Sequence, residues 1–356
     1  MNVVLISPGY PPEMRQFTRG LVEVGARVIG IGDSPQHALD SEVRRNLFAY
    51  IQTAHLWDEG EMLDQVRAIH ARIPVHRIEC LWEPGVVLAA KLRAALGLPG
   101  LEPDRAVPFR DKELMKRVLD QAGIRTPRHA SVTTKAAAHE AAAAIGFPVL
   151  IKPVTGAGAI DTYRCDSHED LELKLNATRH VPELSVEEFV EGDEFTFDTI
   201  CSNGEIHFVS VMWYRPRPLD GKLHEWISPQ AIVLRDLDDP MLTDGIAMGY
   251  EVLSALGFRT GFTHMEWYRK ADGEVVFGEI GARPPGANAV EVMNFAHDMD
   301  LFRGWAEAVC HGTFSQPVTK KYNCAIVFKR AVGQGHIQRY DGIDHVLGTL
   351  GHHVAK

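Results

Sequence analysis

Along residues 1–100, short apolar runs alternate with segments of helical character, and this alternation restricts the fold more than any other property of the chain. Val3–Ile6 is apolar and ends at Ser7-Pro8-Gly9. A helix is predicted from there to Val24, then a strand over Arg27–Ile31. Farther on, Glu83-Pro84-Gly85 separates the strand His76–Leu81 from the helix Val86–Leu96. Strand, helix, strand in this order predicts a parallel sheet, because each helix returns the chain to the edge it left, with a crevice at the carboxyl ends of the strands. Gly30-Ile31-Gly32 follows the second strand and lacks the third glycine of a dinucleotide fingerprint, so a nicotinamide cofactor is not expected.

The 356-residue chain is long enough for two or three packed domains, and 45% hydrophobic with 24% charged residues is ordinary for a globular protein. The net charge is −10 and no basic stripe is present, which disfavours nucleic acid and anionic membrane surfaces as partners. An acidic chain that binds a polyanion must do so with a few placed lysines and backbone amides. Five cysteines, with no C-x-x-C pair, argue against a disulfide framework or zinc ribbon and for a reducing compartment. The first residues lack a basic n-region, and no apolar run reaches the ~18 residues of a membrane span. The expectation is a soluble, cytoplasmic protein.

Gly97-Leu98-Pro99-Gly100 and Glu102-Pro103 mark a boundary. Beyond it the pattern predicts a helix from Asp111 to Ala122 and a strand over His129–Val132. An alanine-rich helix capped by Thr133 or Thr134 runs to Ile145, and a strand Val149–Lys152 enters the loop Gly156-Ala157-Gly158. From Ser185 onward strands dominate: Ser185–Val190, Glu194–Ile200, Ile206–Tyr214, Phe262–Tyr268 and Val275–Ile280. The predicted fold class is α/β followed by α+β, with units at 1–105, 106–185 and 186–315 and a closing segment 316–356.

Several residues in these elements suit phosphate chemistry. Lys152 ends an apolar strand and precedes Gly156 and Gly158, whose backbone N–H groups can approach phosphate oxygens; a plain β-turn is the alternative. No Gly-Lys-Ser/Thr follows, so this is not a Walker A loop. Lys112 opens a helix and, alone, reads as a solvated lysine. Glu187-Glu188-Phe189-Val190 and Glu194 flank a turn between two strands. Such a segment can offer backbone groups to a purine and a carboxylate to ribose hydroxyls, or be an acidic surface hairpin. Glu266 and Glu279 lie on two strands joined at Ala271-Asp272-Gly273, with no basic partner nearby in sequence. Paired carboxylates of this kind suit magnesium, which takes oxygen ligands and retains water; two exposed strand acids are the alternative. Glu279 stands in Val-Val-Phe-Gly-Glu-Ile-Gly, where an unpaired charge is costly. Arg283, fixed by Pro284 and Pro285, suits a phosphate or carboxylate, or a loop salt bridge. His264 either orients an intermediate or packs beside Glu266.

Taken together these residues resemble the ATP-grasp superfamily over residues 1–315, in its carboxylate–amine ligase type. Lys112 matches the first ATP lysine in D-K-x-x-x-K followed by A-G-I-x-T-P, and Lys152 matches the second in F-P-x-x-I-K-P. The resemblance implies an ATP-grasp fold behind a Rossmann-like N-terminal domain. It implies Glu188-Phe189-Val190 as the adenine hinge with Glu187 near the exocyclic amine, and Glu194 on the ribose. Glu266 and Glu279 fall on the magnesium carboxylates, for two Mg²⁺ ions with Mn²⁺ as a substitute. Arg283 matches the arginine of E-x-x-x-R-P. The chain departs from the pattern at Gly281, where the family often has asparagine, and at Ala159 and Asp161 in the loop. It also ends soon after Phe328-Lys329-Arg330, where such enzymes often carry a longer closing segment, so a truncated chain or a short member is expected.

The implied reaction joins a small-molecule carboxylate and an amine through an acyl phosphate, releasing ADP and phosphate, with Arg283, Lys152 and His264 as catalytic groups. Substrate contacts are expected from Arg215, Arg217, His224, Arg283, Gly286 and Asn288, with amino acids as substrates; Arg215 and Arg217 can equally be exposed strand residues. A homodimer is expected by the same resemblance. The rival readings are a carboxylase or formate-dependent ligase, and a non-catalytic ATP-binding regulator.

Overall fold

The computed structural model describes residues 1–154, 161–331 and 333–355 of the chain. Three sheets carry its architecture. The first contains β1 (Asn2–Ile6), β2 (Arg27–Gly32), β3 (Leu47–Gln52) and β4 (Arg77–Glu79), all parallel, in the order β3-β2-β1-β4. The strand order reverses between β1 and β4, so their carboxyl-terminal loops, 7–13 and 80–85, border one crevice. The expected parallel sheet is present. β3 and the helix Glu59–Arg72 add to the predicted elements, and Asp58 caps that helix by accepting from the Glu61 N–H at 2.8 Å.

The second sheet contains β5 (His129–Val132), β6 (Val149–Pro153), β7 (Tyr163–Cys165) and β8 (Leu184–Glu188), antiparallel in the order β5-β8-β6-β7. The helices Lys135–Ile145 and His168–Ala177 join it in one apolar cluster. Ala138 and Ala142 are fully buried there, and their small side chains allow the close approach. Thr134 is the cap of the alanine-rich helix, accepting from the Ala137 N–H.

The third sheet is built from β9 (Asp193–Ser202), β10 (Glu205–Ser210), β11 (Met212–Arg215), β12 (Gln230–Val233), β13 (Gly261–Arg269), β14 (Val275–Gly281) and β15 (Cys324–Val327). It runs β14-β13-β9-β11-β12-β15, with β10 also on β9. The predicted strand Ile206–Tyr214 is two strands. The Met212 N–H donates to the Thr196 Oγ1 rather than to a ladder carbonyl, and the pairing breaks there. One apolar cluster joins Phe195, Phe197 and Trp267 of this sheet to Met115 and Leu119 of the helix Lys112–Gln121. Another joins Ile200 and Phe262 to Trp305 and to Phe17 and Leu21 of the helix Met14–Glu23, so the first sheet's unit shares a core with the third. All five cysteines are free thiols, and among the described residues no helix is long and apolar enough to cross a membrane.

The two units approach closely at Gly20, where an added Cβ would lie 2.4 Å from the Phe302 carbonyl oxygen. Backbone cannot yield as a side chain can. Gly20→Ala is therefore expected to lower unfolding free energy in urea by about 1–3 kcal/mol. Gly348→Ala, inside the exposed helix Ile343–Leu350 and with nothing within 4 Å of its Cβ, should instead leave stability unchanged or raise it by up to about 1 kcal/mol.

Candidate active site

A cavity of about 460 Å³ lies between the second and third sheets, and charged residues from distant parts of the chain line it. The helix Lys112–Gln121 begins the site. Asp111 caps it by accepting from the N–H groups of Glu113 and Leu114 at 3.0 and 2.9 Å. The cap fixes Lys112 in the first turn and Lys116 one turn later on the same face. Both lysines are buried, next to the positive end of a helix, so both require carboxylate partners.

The sheets supply them. Lys112 Nζ lies 2.7 Å from Glu279 Oε1. Lys116 Nζ donates to Glu187 Oε1 at 2.6 Å, Glu113 Oε1 at 2.9 Å and Ser185 Oγ at 3.1 Å. Lys152 Nζ, on β6, lies 2.9 Å from the other Glu187 oxygen. Glu187 is thus gripped by two ammonium groups, one for each oxygen. Burial would push its carboxyl up, but Lys116 and Lys152 hold it well below the usual carboxylate range. Burial would lower the Lys152 pKa, but Glu187 and Glu279 raise it instead. Glu279 is likewise held down by Lys112 and Lys152 against its burial. Glu279 has no basic residue nearby in sequence; its partner Lys112 is 167 residues away.

Glu266 and Glu279 are direct cross-strand partners on β13 and β14, and the register shifts just after them. Gly278 permits this irregularity, since a Cβ there would lie 2.7 Å from the Glu266 carbonyl oxygen. Carboxylates directly opposite one another repel. The pair suits a cation that takes one or two protein carboxylates and completes its shell with phosphate and water, as magnesium does. Among the described residues no group of three His, Cys, Asp or Glu side chains is placed to hold a metal without such added ligands. His264 has Asp198 Oδ1 2.6 Å from Nδ1 and Glu266 Oε1 3.5 Å from Nε2. Burial opposes the imidazolium, but Asp198 and Glu266 raise its pKa to about 9.

At the other end of the cavity, Glu194 is buried beside its cross-strand neighbours Tyr214 and Tyr268. Burial and Glu266 push its carboxyl up to about 8, and Arg217 offsets only part of that. Arg217 donates to Glu194 Oε2 at 3.1 Å and to the Val190 carbonyl at 2.7 Å, and lies over the Phe189 and Tyr268 rings. It therefore belongs to the 188–190 segment and is not an unengaged anion receptor. The Glu188 carboxylate turns to Arg125 and Arg128, while the Glu188 and Phe189 N–H groups donate to the Arg128 and Pro148 carbonyls.

The cavity brings together Lys112, Lys152, Glu187, Glu188, Phe189, Val190, Glu194, Arg217, His264, Glu266, Glu279 and Arg283. Four expected substrate contacts do not line it. Arg215 stacks on Trp213, and the His224 carbonyl accepts from Arg330. Gly286 and Asn288 lie in an exposed loop beyond Arg283. Gly156 and Gly158 fall outside the described residues. Three groups carried no role in the sequence reading. Lys116 is visible there only as the second lysine of the D-K-x-x-x-K pattern. Asp198 has no local signal. Glu83 receives both Arg110 and Arg283, the latter through Nε at 2.8 Å.

Two family models match the chain, an ATP-grasp N-terminal domain over residues 22–100 and an ATP-grasp domain over residues 109–214. The chain belongs to the ATP-grasp superfamily. Its sequence is similar to an L-arginine-specific L-amino acid ligase of Bacillus subtilis, 27% identical over 240 residues, covering 64% of this chain and 56% of that protein. It is also similar to a D-alanine–D-alanine ligase of Clostridium perfringens, 26% identical over 168 residues, covering 46% and 54%. The chain thus spans little more than half the length of either relative. Among solved structures, an L-amino acid ligase from Bacillus licheniformis superposes with a TM-score of 0.71 at 22% identity, covering 87% of this chain and 74% of that one. An N5-carboxyaminoimidazole synthetase from Staphylococcus aureus, solved with ADP, gives 0.71 at 17% identity, covering 89% and 79%. These likenesses show the ATP-grasp fold, as the sequence reading expected.

The buried charge cluster has measurable consequences for this ATP-grasp chain. Lys116→Met leaves Glu113 and Glu187 short of a partner and should cost about 3–5 kcal/mol in urea unfolding. Burial raises the Glu113 carboxyl, but His129 and Lys116 bring it to about 2 from its ordinary 4.5. A carboxyl lowered on folding stabilises the protein above its unfolded value and loses that contribution as pH falls through the folded one. Glu113→Gln should therefore flatten the decline in unfolding free energy between pH 4.5 and about 2. An unchanged decline would contradict the assignment.

Proposed function

We propose that the protein is an ATP- and magnesium-dependent carboxylate–amine ligase that joins amino acids through an acyl phosphate. The observation that carries this reading is the single cavity in which Lys112, Lys152, Glu194, Glu266, Glu279 and Arg283 converge from separate elements. In it, the purine pairs with main-chain groups of 188–190 not already used within the protein, beside the Phe189 ring. Glu194 accepts from ribose hydroxyls, and its position next to Arg217 sets that end of the cavity. Lys112 and Lys152 face the phosphates. Glu266 and Glu279 hold magnesium, which supplies charge neutralisation for the phosphoryl group.

A carboxylate oxygen of the first substrate attacks the γ-phosphorus. The bond to the β–γ bridging oxygen breaks and ADP leaves. The amine nitrogen of the second substrate then attacks the acyl carbon, phosphate departs with the oxygen that had attacked, and the amine proton passes to solvent or to a base. Lys152 and Arg283 stabilise the oxygens on which charge accumulates, and no protein nucleophile is required. His264, held by Asp198, orients the Glu266 side of the site. The amino-acid substrate class follows the similarity to the Bacillus subtilis L-amino acid ligase.

Release of ADP from magnesium-ATP is expected only when amino acids are supplied, with an amide product detected by mass spectrometry. Glu279→Gln and Lys152→Ala should each lower kcat by about 10²–10³-fold. ADP release that ignores amino acids, or survives Glu279→Gln unchanged, would overturn the reading.

A further inference from the structure

Two contacts join the loop that follows Arg283, a residue of the cavity lining, to the crevice of the first sheet. Arg283 donates to Glu83, which follows β4, and the Asn288 N–H donates to Glu13 Oε1 at 3.2 Å, in the segment after β1. These contacts hold the loop 281–289 against the two loops that border the switch point of the parallel sheet. Those loops carry an aromatic group. Tyr10 packs edge-on against Trp82 with ring centroids 4.7 Å apart, and Trp57, from the loop after β3, packs edge-on against the same indole at 5.1 Å. Tyr10 is 53% exposed and Trp57 41%, although each is a large ring beside a buried core. The three rings form one ledge on the first sheet's loops.

We propose that Tyr10, Trp82 and Trp57 form the side-chain subsite for a substrate amino acid with a large apolar side chain. The inference rests on the ligase reading and adds the class of substrate. Trp82 precedes Glu83, which meets Arg283, and Tyr10 lies three residues before Glu13, which meets Asn288; the ledge is therefore fixed beside the reacting end of the cavity. The carboxylates next to it are already engaged, Glu83 by Arg110 and Arg283 and Glu13 by the Asn288 N–H. The ledge thus presents aromatic surface, which favours an apolar side chain over an acidic one. A parallel sheet places ligands at this position for a geometric reason, since the loops on either side of the switch point diverge.

The test is calorimetric binding of L-leucine, L-phenylalanine and L-alanine to the full chain with magnesium-ADP present. Leucine and phenylalanine should bind at least about tenfold tighter than alanine, the scale of discrimination that a few methylenes provide. Tyr10→Ala and Trp57→Ala should each erase most of that preference, whereas a general loosening of the fold would weaken all three ligands alike. Tyr10 is largely exposed, so its substitution reports even where Trp57→Ala lowers stability. Equal affinities in the unaltered protein, or a preference that both substitutions leave intact, would overturn the proposal. A preference retained by a protein that makes no amide supports the ledge and counts against the ligase reading; amide formation without a size preference does the reverse.

Discussion

Glu187 is buried, and each of its oxygens faces a different ammonium group, Lys116 from a helix and Lys152 from a strand. A carboxylate in that position is stable only because both cations are present, and the cations are stable there only because of it. The same exchange extends through Lys112 to Glu279 on the third sheet. The helix Lys112–Gln121 is consequently tied to the second sheet at one lysine and to the third at the other. Helix, second sheet and third sheet take their relative places from this lattice, and the cavity is the space that it encloses.

Under the proposed ligase function, the lattice also prepares the cavity for a polyphosphate. Lys152 stays charged despite burial because Glu187 and Glu279 raise its pKa. Its ammonium is already oriented, so a bound phosphate need not pay for ordering a flexible side chain. The hairpin of β13 and β14 adds the opposing element, two carboxylates placed face to face. Repulsion within that pair and attraction to the lysines together make a site in which cations and phosphates have alternating partners. The first sheet's unit closes the far side through Glu83, which takes Arg283 and Arg110, and so connects the reacting end to the loops after β1 and β4.

Much of this was legible in the sequence. The parallel sheet followed from alternation, and the strands of Glu266 and Glu279 from their apolar flanks and the Ala271-Asp272-Gly273 turn. The cavity residues Lys112, Lys152 and Glu194 were found because their order along the chain is itself a pattern. Partners were not legible. Lys112 meets Glu279 across 167 residues, and His264 meets Asp198 across 66, distances over which no local spacing rule operates. For Arg217 the sequence leaves an anion contact and an exposed strand arginine equally open, and its partners Glu194 and Val190 stand 23 and 27 residues away. The edge strand β3 escaped notice because it exposes apolar residues on both faces and so lacks the period of a half-buried strand.

The central claim is that this lattice directs the γ-phosphoryl group of ATP onto a substrate carboxylate. Oxygen tracing tests it most directly. If an amino acid labelled with ¹⁸O in its carboxylate is turned over, the oxygen that attacks phosphorus leaves with the phosphate when the amide forms. Mass spectrometry should therefore find one ¹⁸O in the inorganic phosphate for each amide made. Phosphate free of label alongside labelled amide would contradict the account.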